Sequence, residues 1–215
     1  MKIDIITLFP EVFNNLNSFS IIKKAIENGK VQINTHNLRD YASNSRKVDD
    51  YPYGGFPGMV IKIEPIYNCV ATLKEKTEYD EIIYLTPDGS LLDQKMSNNM
   101  SNLDNIIIIC GHYKGIDHRV RENIVTKEIS IGNYVVSGGE LPAAVFCDSV
   151  IRLLPGVLGD ESSALSDTFQ DNLISAPIYT RPEVFNGLNV PKVLLSGNKK
   201  EIQKWNDEKS LERTK

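Results

Sequence analysis

The 215-residue chain holds only three cysteines, Cys69, Cys110 and Cys147, isolated and odd in number. That excludes a disulfide scaffold and points to buried, reduced thiols in a cytoplasmic protein rather than to a metal cluster. No apolar run approaches the ~18 residues that suggest a membrane span. The opening stretch MKIDIITLFP carries Asp4 inside its apolar run and no small-residue cleavage site, which argues against a signal peptide. Histidines number three, and His112 and His118 lie on either side of a strand-to-helix turn, poor spacing for a shared metal. No G-x-G-x-x-G follows a strand-like segment and no P-loop lysine motif is present, which weighs against an NAD enzyme, a Rossmann-type methyltransferase and an NTPase together. A G-x-S-x-G nucleophile elbow is missing as well. There is no internal repeat and no low-complexity tract.

What remains is an ordinary globular composition, 41% hydrophobic and 24% charged. A chain of this length buries roughly 70% of the surface its unfolded form exposes, so no staples are needed. The net charge of −4 is unevenly spread. Residues 181–215 hold eight Lys/Arg against five Asp/Glu, and the rest holds 16 against 23. A basic tail on an acidic body is either a solvated helix face or a foothold for a polyanion.

Strand-like and helix-like segments alternate along the chain. KIDIITLF, KVQINTHNL, EIIYLTP, NIIIICG and KEISIG read as strands; SIIKKAIENG, EPIYNCVATLKEK, SLLDQKMSNNMSNL, IDHRVRENIV and PAAVFCDSVIRLL read as helices. Repeated βα units predict a parallel sheet with helices on both faces. NIIIICG is apolar at every strand position, as a central parallel strand should be. The stretch RDYASNSRKVDDYPYGGFPG lacks any period and is long for a structureless loop, so it is a candidate functional loop. After PGVLGDESSALSDTFQDNLISAP, where periodicity disappears, a small second unit resumes that is helical near its end.

In open parallel sheets, ligands sit at the carboxyl ends of strands. Here those ends read YLTPDG, CGHYKGID and SIGNYVVSGG, all rich in glycine or proline and low in bulk. One glycine alone is as well explained by a tight turn, but three such loops at neighbouring strand ends point to a cofactor pocket. Pro142 sits in the first turn of the next helix, which faces that pocket. That helix also carries Asp148 and Arg152 at i, i+4, a spacing that suits a local ion pair.

SIGNYVVSGGELPAAVFCDSVIRLLPGVLG, DDYPYGG, CGHYKGID and YTRPEVFNGLNVPKVLLSGN together resemble the bacterial tRNA (guanine(37)-N1)-methyltransferase family of the SPOUT superfamily. The resemblance runs from the first strand to about Trp205. It implies an α/β SPOUT fold with a deep trefoil knot, a parallel sheet flanked by helices and a small, mainly helical C-terminal domain. Pattern alone would have given an unknotted doubly wound sheet. The implied organisation is a cofactor-binding domain over 1–156 with its knot at roughly 82–156, a linker over 157–176 and a tRNA-binding domain over 177–215.

By the same resemblance, the cofactor is S-adenosyl-L-methionine, held by Leu85, Thr86, Pro87, Gly111, Tyr113, Gly115, Ile131, Gly132, Asn133, Tyr134, Val135, Val136, Gly138, Gly139 and Pro142. Asp167 is the implied general base and Arg152 the implied stabiliser of charge on the target guanine, with no protein-bound metal. Asp49, Asp50 and Gly58 would read the guanine and its neighbour, while Arg181, Lys192, Lys199 and Lys200 would hold the RNA backbone. The partners implied are tRNA with guanine at positions 36 and 37, and a second copy of the chain in a homodimer with shared active sites; no membrane is involved. Family members often read C-G-R-Y-E-G where this chain has His112 and Lys114, and Phe56 stands in place of a third glycine. A magnesium requirement therefore stays open. Rival readings are a SPOUT paralogue acting elsewhere on RNA, a catalytically silent RNA-binding module and a nucleotide-dependent oxidoreductase.

Overall fold

The four consecutive isoleucines Ile106–Ile109 show why a sheet forms and where its middle lies. Their strand, β6 (Asn105–Cys110), is buried on both faces and occupies the central place in a five-stranded parallel sheet of order β2-β1-β6-β5-β7. Its neighbours are β1 (Lys2–Thr7), β2 (Gln32–Asn37), β5 (Glu81–Leu91) and β7 (Lys127–Ser130). The computed structural model describes residues 1–43, 46–158, 168–169 and 173–215. The chain forms two compact units, residues 1–159 and 160–215.

Alternation along the strands divides the first unit's core in two. On one face, Ile3, Ile5, Ile83, Leu85, Ile106, Ile108 and Ile129 pack against α1 (Val12–Leu16), α2 (Ser20–Glu27), α4 (Gln94–Met100) and α6 (Glu140–Ile151). On the other, Ile6, Ile82, Tyr84, Ile107 and Ile109 meet α3 (Ile63–Lys74) and Val120 of α5 (His118–Asn123). Helices on both faces of a parallel sheet are the arrangement the alternating pattern predicts.

Several boundaries differ from the sequence expectation. The helix expected over SLLDQKMSNNMSNL is confined to Gln94–Met100, because β5 runs on through Leu91 to pair a second time with β7. The loop expected to be structureless begins within a 3-10 turn at Leu38–Tyr41 and holds β3 (Asp49–Asp50), which pairs antiparallel with β4 (Val60–Ile61) just beyond its end. Two-residue strands are too short to show a period. Helix α1 was not expected at all; its five residues bury only Phe13 and Leu16. Helix α6 begins two residues before the expected PAAVF start, with Gly139 as its N-cap.

In the second unit, β8 (Val184–Phe185) and β9 (Leu188–Asn189) form a hairpin turning at Asn186 and Gly187. It is followed by α7 (Lys192–Leu195) and α8 (Lys199–Thr214). Asn-Gly between two short β-prone runs is a local hairpin signal that the reading of this region overlooked. The Asn198 side chain caps α8 by accepting hydrogen bonds from the Lys200 and Glu201 backbone. Near the helix's far end the Ser210 hydroxyl and Arg213 donate to the Ile174 and Ser175 carbonyls at 2.7 and 2.6 Å.

Candidate active site

A cavity of about 290 Å3 opens where β5, β6 and β7 deliver their C-terminal residues. Of the residues the sequence reading assigned to a cofactor, Leu85, Thr86, Pro87, Gly111, Tyr113, Gly115, Ile131, Gly132, Tyr134, Val135, Val136, Gly138, Gly139 and Pro142 line it. Asn133 does not, although it lies in the same loop. Tyr84, His112, Lys114, Ile129, Ser130 and Ser137 also line the cavity and were not assigned to the cofactor. Each lies within two positions of residues that were, which is the signal a reading built on glycines passes over.

The first wall is not a strand end. Leu85 and Ser90 both pair with Ile129 of β7, so residues 86–89 are pushed out of the ladder as a bulge that borders the cavity. Gly89 permits the return: a β-carbon there would lie 2.6 Å from the Ile129 nitrogen. The bulge is held from outside by Arg121, which donates to Asp88 at 2.8 Å and to both oxygens of Glu128 at 2.6 Å. Its guanidinium also lies 5.7 Å from the centre of the Tyr84 ring. Asp88 in turn accepts a hydrogen bond from Thr86, and that bond, with Arg121, holds its carboxyl below the usual range.

The second and third walls interlock. The Gly139 N–H donates to the Gly111 carbonyl at 2.9 Å, and a β-carbon on Gly139 would come within 2.7 Å of the Cys110 α-carbon. Beneath this crossing His112 Nε2 and Glu140 Oε2 are 2.6 Å apart, while Glu140 Oε1 accepts from the Thr7 hydroxyl at 2.6 Å. Glu140 is only 6% exposed, and Phe9 lies against the His112 ring at 5.0 Å. Tyr113 adopts φ +61°, an uncommon conformation for a side-chain-bearing residue, on the loop that borders the pocket.

The loop expected to read the guanine is tied to this rim. The Ile61 N–H donates to the Gly115 carbonyl at 3.0 Å, Asp117 N–H to the Ile61 carbonyl at 2.9 Å, and Lys114 N–H to the Met59 carbonyl at 3.0 Å. Gly58 touches the Lys114 stem, and Asp49 and Asp50 form β3. The Asp50 carboxyl is held below its ordinary pKa by the Tyr51 N–H and by Lys47.

Arg152 is the C-cap of α6 and is partly exposed. Its backbone N–H donates to the Asp148 carbonyl at 3.3 Å, and the Asp148 side chain is exposed rather than packed in the helix's buried face. Asp167, with much of the expected linker over 157–176, lies outside the described residues. Arg181, Lys192, Lys199 and Lys200 belong to the second unit, the last three in the opening turns of α7 and α8.

Among the described residues, no three His, Cys, Asp or Glu side chains are grouped to hold a metal. No described helix is long and apolar enough to cross a membrane.

Comparison with known proteins extends over the whole chain. The family model described as tRNA (Guanine-1)-methyltransferase TrmD matches residues 1–215. A Bacteroides fragilis protein named tRNA (guanine-N(1)-)-methyltransferase is 56% identical over 216 residues, covering 100% of this chain and 96% of its own length. Proteins of the same name from Flavobacterium psychrophilum and Porphyromonas gingivalis are 57% and 55% identical with the same coverage.

Proposed function

Since this chain belongs to the tRNA (guanine-1)-methyltransferase family, we propose that it transfers a methyl group from S-adenosyl-L-methionine to N1 of guanine 37 of tRNA. The observation that carries the reading is the junction of three glycine-bearing walls, drawn from the β5 bulge and the ends of β6 and β7, into one small cavity. The deep trefoil knot belongs to the same reading, and the close passage of Gly139 across Cys110 supports it.

The residues present fit such a donor. Leu85, Ile131, Val135, Val136 and Pro142 offer apolar walls, and exposed backbone at glycine positions lets a ligand press against peptide groups. The bound cofactor would supply an electrophilic methyl group. The chain must then deal with the acceptor. N1 of neutral guanine carries a proton and is a poor nucleophile, so a base has to remove that proton while charge gathers on O6. In this reading Asp167 is the base and Arg152 the fixed cation aimed at O6. A carboxylate of ordinary pKa, about 4, is weak for the task unless it is well positioned and the product charge is stabilised. The described lining of the cavity includes no carboxylate.

Base access requires the guanine to leave its stack, at a cost of a few kcal/mol, least in a single-stranded loop. The loop carrying Asp49, Asp50 and Gly58 would read it, supported by its backbone bonds to the cavity rim. Lys199 and Lys200 stand in the first turn of α8, where a cation is unfavourable to the helix dipole, and Lys192 opens the four-residue α7. A role in holding RNA phosphate, together with Arg181, accounts for that placement. The homodimer with shared sites is supported by exposed apolar side chains on α6 and beside the cavity, Leu141, Val145 and Val135. The reading places the protein in the cytoplasm, with its tRNA.

The test is methyl mapping. Purified protein with labelled cofactor and a tRNA carrying guanine at 36 and 37 should place label on N1 of guanine 37. Label on another nucleotide would favour the paralogue, and no label at all would favour the silent RNA-binding module.

A further inference from the structure

The cavity has an asymmetry of charge. Among its described lining residues there is no Asp, no Glu and no Arg, and Lys114 is the one Lys. It is exposed at the rim, and no described ion pair or side-chain hydrogen bond engages its ammonium group. Nearby cations are committed elsewhere: Arg119 is paired with Asp117 at 2.7 Å, Arg121 with Asp88 and Glu128, and Lys47 with Asp50 at 3.4 Å.

The stem of Lys114 is also placed. A β-carbon built on Gly58 would lie 2.8 Å from its Cγ and 3.3 Å from its Cε, so the aliphatic chain runs across the loop between β3 and β4. The Lys114 backbone is tied to that loop at Met59. The ammonium therefore stands where the substrate loop and the cavity meet, exposed to water, with a stem already partly ordered. A cation held in this way, with no ion-pair partner among the described residues, is suited to an anion arriving from solution.

Resting on the methyltransferase reading, we propose that Lys114 binds a backbone phosphate of the RNA strand beside the target nucleotide, and so sets that strand's position between the β3–β4 loop and the cavity. The RNA phosphate is favoured over the carboxylate of an amino-acid cofactor because the group lies at the exposed rim, on the substrate-loop side. Lys114 is a positioning residue for the acceptor. Charge and reach are what it contributes, so arginine should replace it and methionine should not.

The test compares wild type with Lys114→Met and Lys114→Arg in the full chain, using a tRNA transcript and S-adenosylmethionine as separate probes. For Lys114→Met, tRNA affinity should fall roughly three- to tenfold near 0.1 M salt. The slope of log affinity against log salt should become shallower by about 0.7, the value for one phosphate on a single strand. Cofactor affinity and melting temperature should stay at the wild-type values, and Lys114→Arg should restore both the affinity and the slope. An unchanged salt slope would overturn the proposal. So would a loss confined to cofactor affinity, which would assign the anion to the cofactor's carboxylate, or a failure of arginine to rescue. Absence of methyl transfer by the wild-type protein would instead remove the methyltransferase reading itself, which separates the two failures.

Discussion

Glu140 and His112 meet at 2.6 Å across the crossing of the second and third cavity walls, and the other oxygen of Glu140 takes the Thr7 hydroxyl. The carboxylate joins the first strand, the β6 loop and the start of α6 at one buried point. Removing it strands two donors beneath the cavity. Glu140→Ala should cost about 3 kcal/mol of stability by denaturant unfolding and weaken cofactor binding in calorimetry. Thr7→Val should cost about 2 kcal/mol, since the hydroxyl both donates to Glu140 and accepts from the Phe9 N–H at 2.9 Å. Wild-type stability for Glu140→Ala would show that the three residues only happen to be close.

Gly139 passes the β6 terminus with no room for a side chain. Its added β-carbon would stand 2.7 Å from the Cys110 α-carbon and 2.8 Å from the Gly111 nitrogen, both backbone atoms that cannot swing away. Gly139→Ala should destabilise by about 2 kcal/mol and lower cofactor affinity at least severalfold, since the two walls must separate. Thermal melting and ligand titration check the pair of effects together.

Asp4 gives the protein an acid-sensitive core. Its carboxyl is 1% exposed and receives Tyr79 at 2.7 Å, Asn34 at 3.0 Å, His36 at 2.7 Å and Lys2 at 3.2 Å. Burial by itself pushes its pKa up, but the hydrogen bonds from His36, Tyr79, Asn34 and Lys2 together outweigh it and hold the group well below the ordinary carboxylate range. The unfolded chain therefore takes up this proton first as pH falls. The stabilisation is complete above the unfolded pKa of about 4 and is lost as pH drops through the folded value. Unfolding measured between pH 6 and pH 2 should show that decline in the wild type. In Asp4→Asn the component should vanish, with a neutral-pH loss of about 2 kcal/mol.

The three thiols should be inert in the folded protein. Burial pushes Cys69 and Cys147 up to about 12 and Cys110 well above its usual value. An alkylating reagent at pH 8 should label none of them until denaturant is added, whereupon all three should react. Rapid labelling of native protein at any one would contradict its burial.

For the proposed chemistry, Asp167→Ala should abolish turnover while leaving cofactor affinity nearly intact, and Arg152→Ala should behave similarly. Single-turnover kinetics with tRNA reads both. Near-normal rates for Asp167→Ala would mean that another group removes the N1 proton.

Much of the architecture could be read from short-range pattern. NIIIIC announced a strand buried on both faces, and it is the central one. The glycine-bearing segments after the strands marked the cavity, and all but Asn133 of the residues singled out there line it. The bulge after Leu85 was read as a strand end, since nothing in TPDGSLL says that the chain will rejoin β7. The β3–β4 pair was missed for a related reason: its partners, Asp49 with Ile61 and Asp50 with Val60, are separated by a long loop, and each strand is only two residues long.

Periodicity, turn residues and apolar content act over a few neighbouring positions, and they settled the parallel α/β class and its five sheet strands. Contacts such as Thr7 with Glu140, 133 positions apart, depend on where the folded sheet brings its loops. So do the β5 bulge, the partly exposed α6 C-cap at Arg152 and the placement of Lys114 against Gly58. These are long-range steric and hydrogen-bonding outcomes, and local preference carries no information about which distant groups will meet.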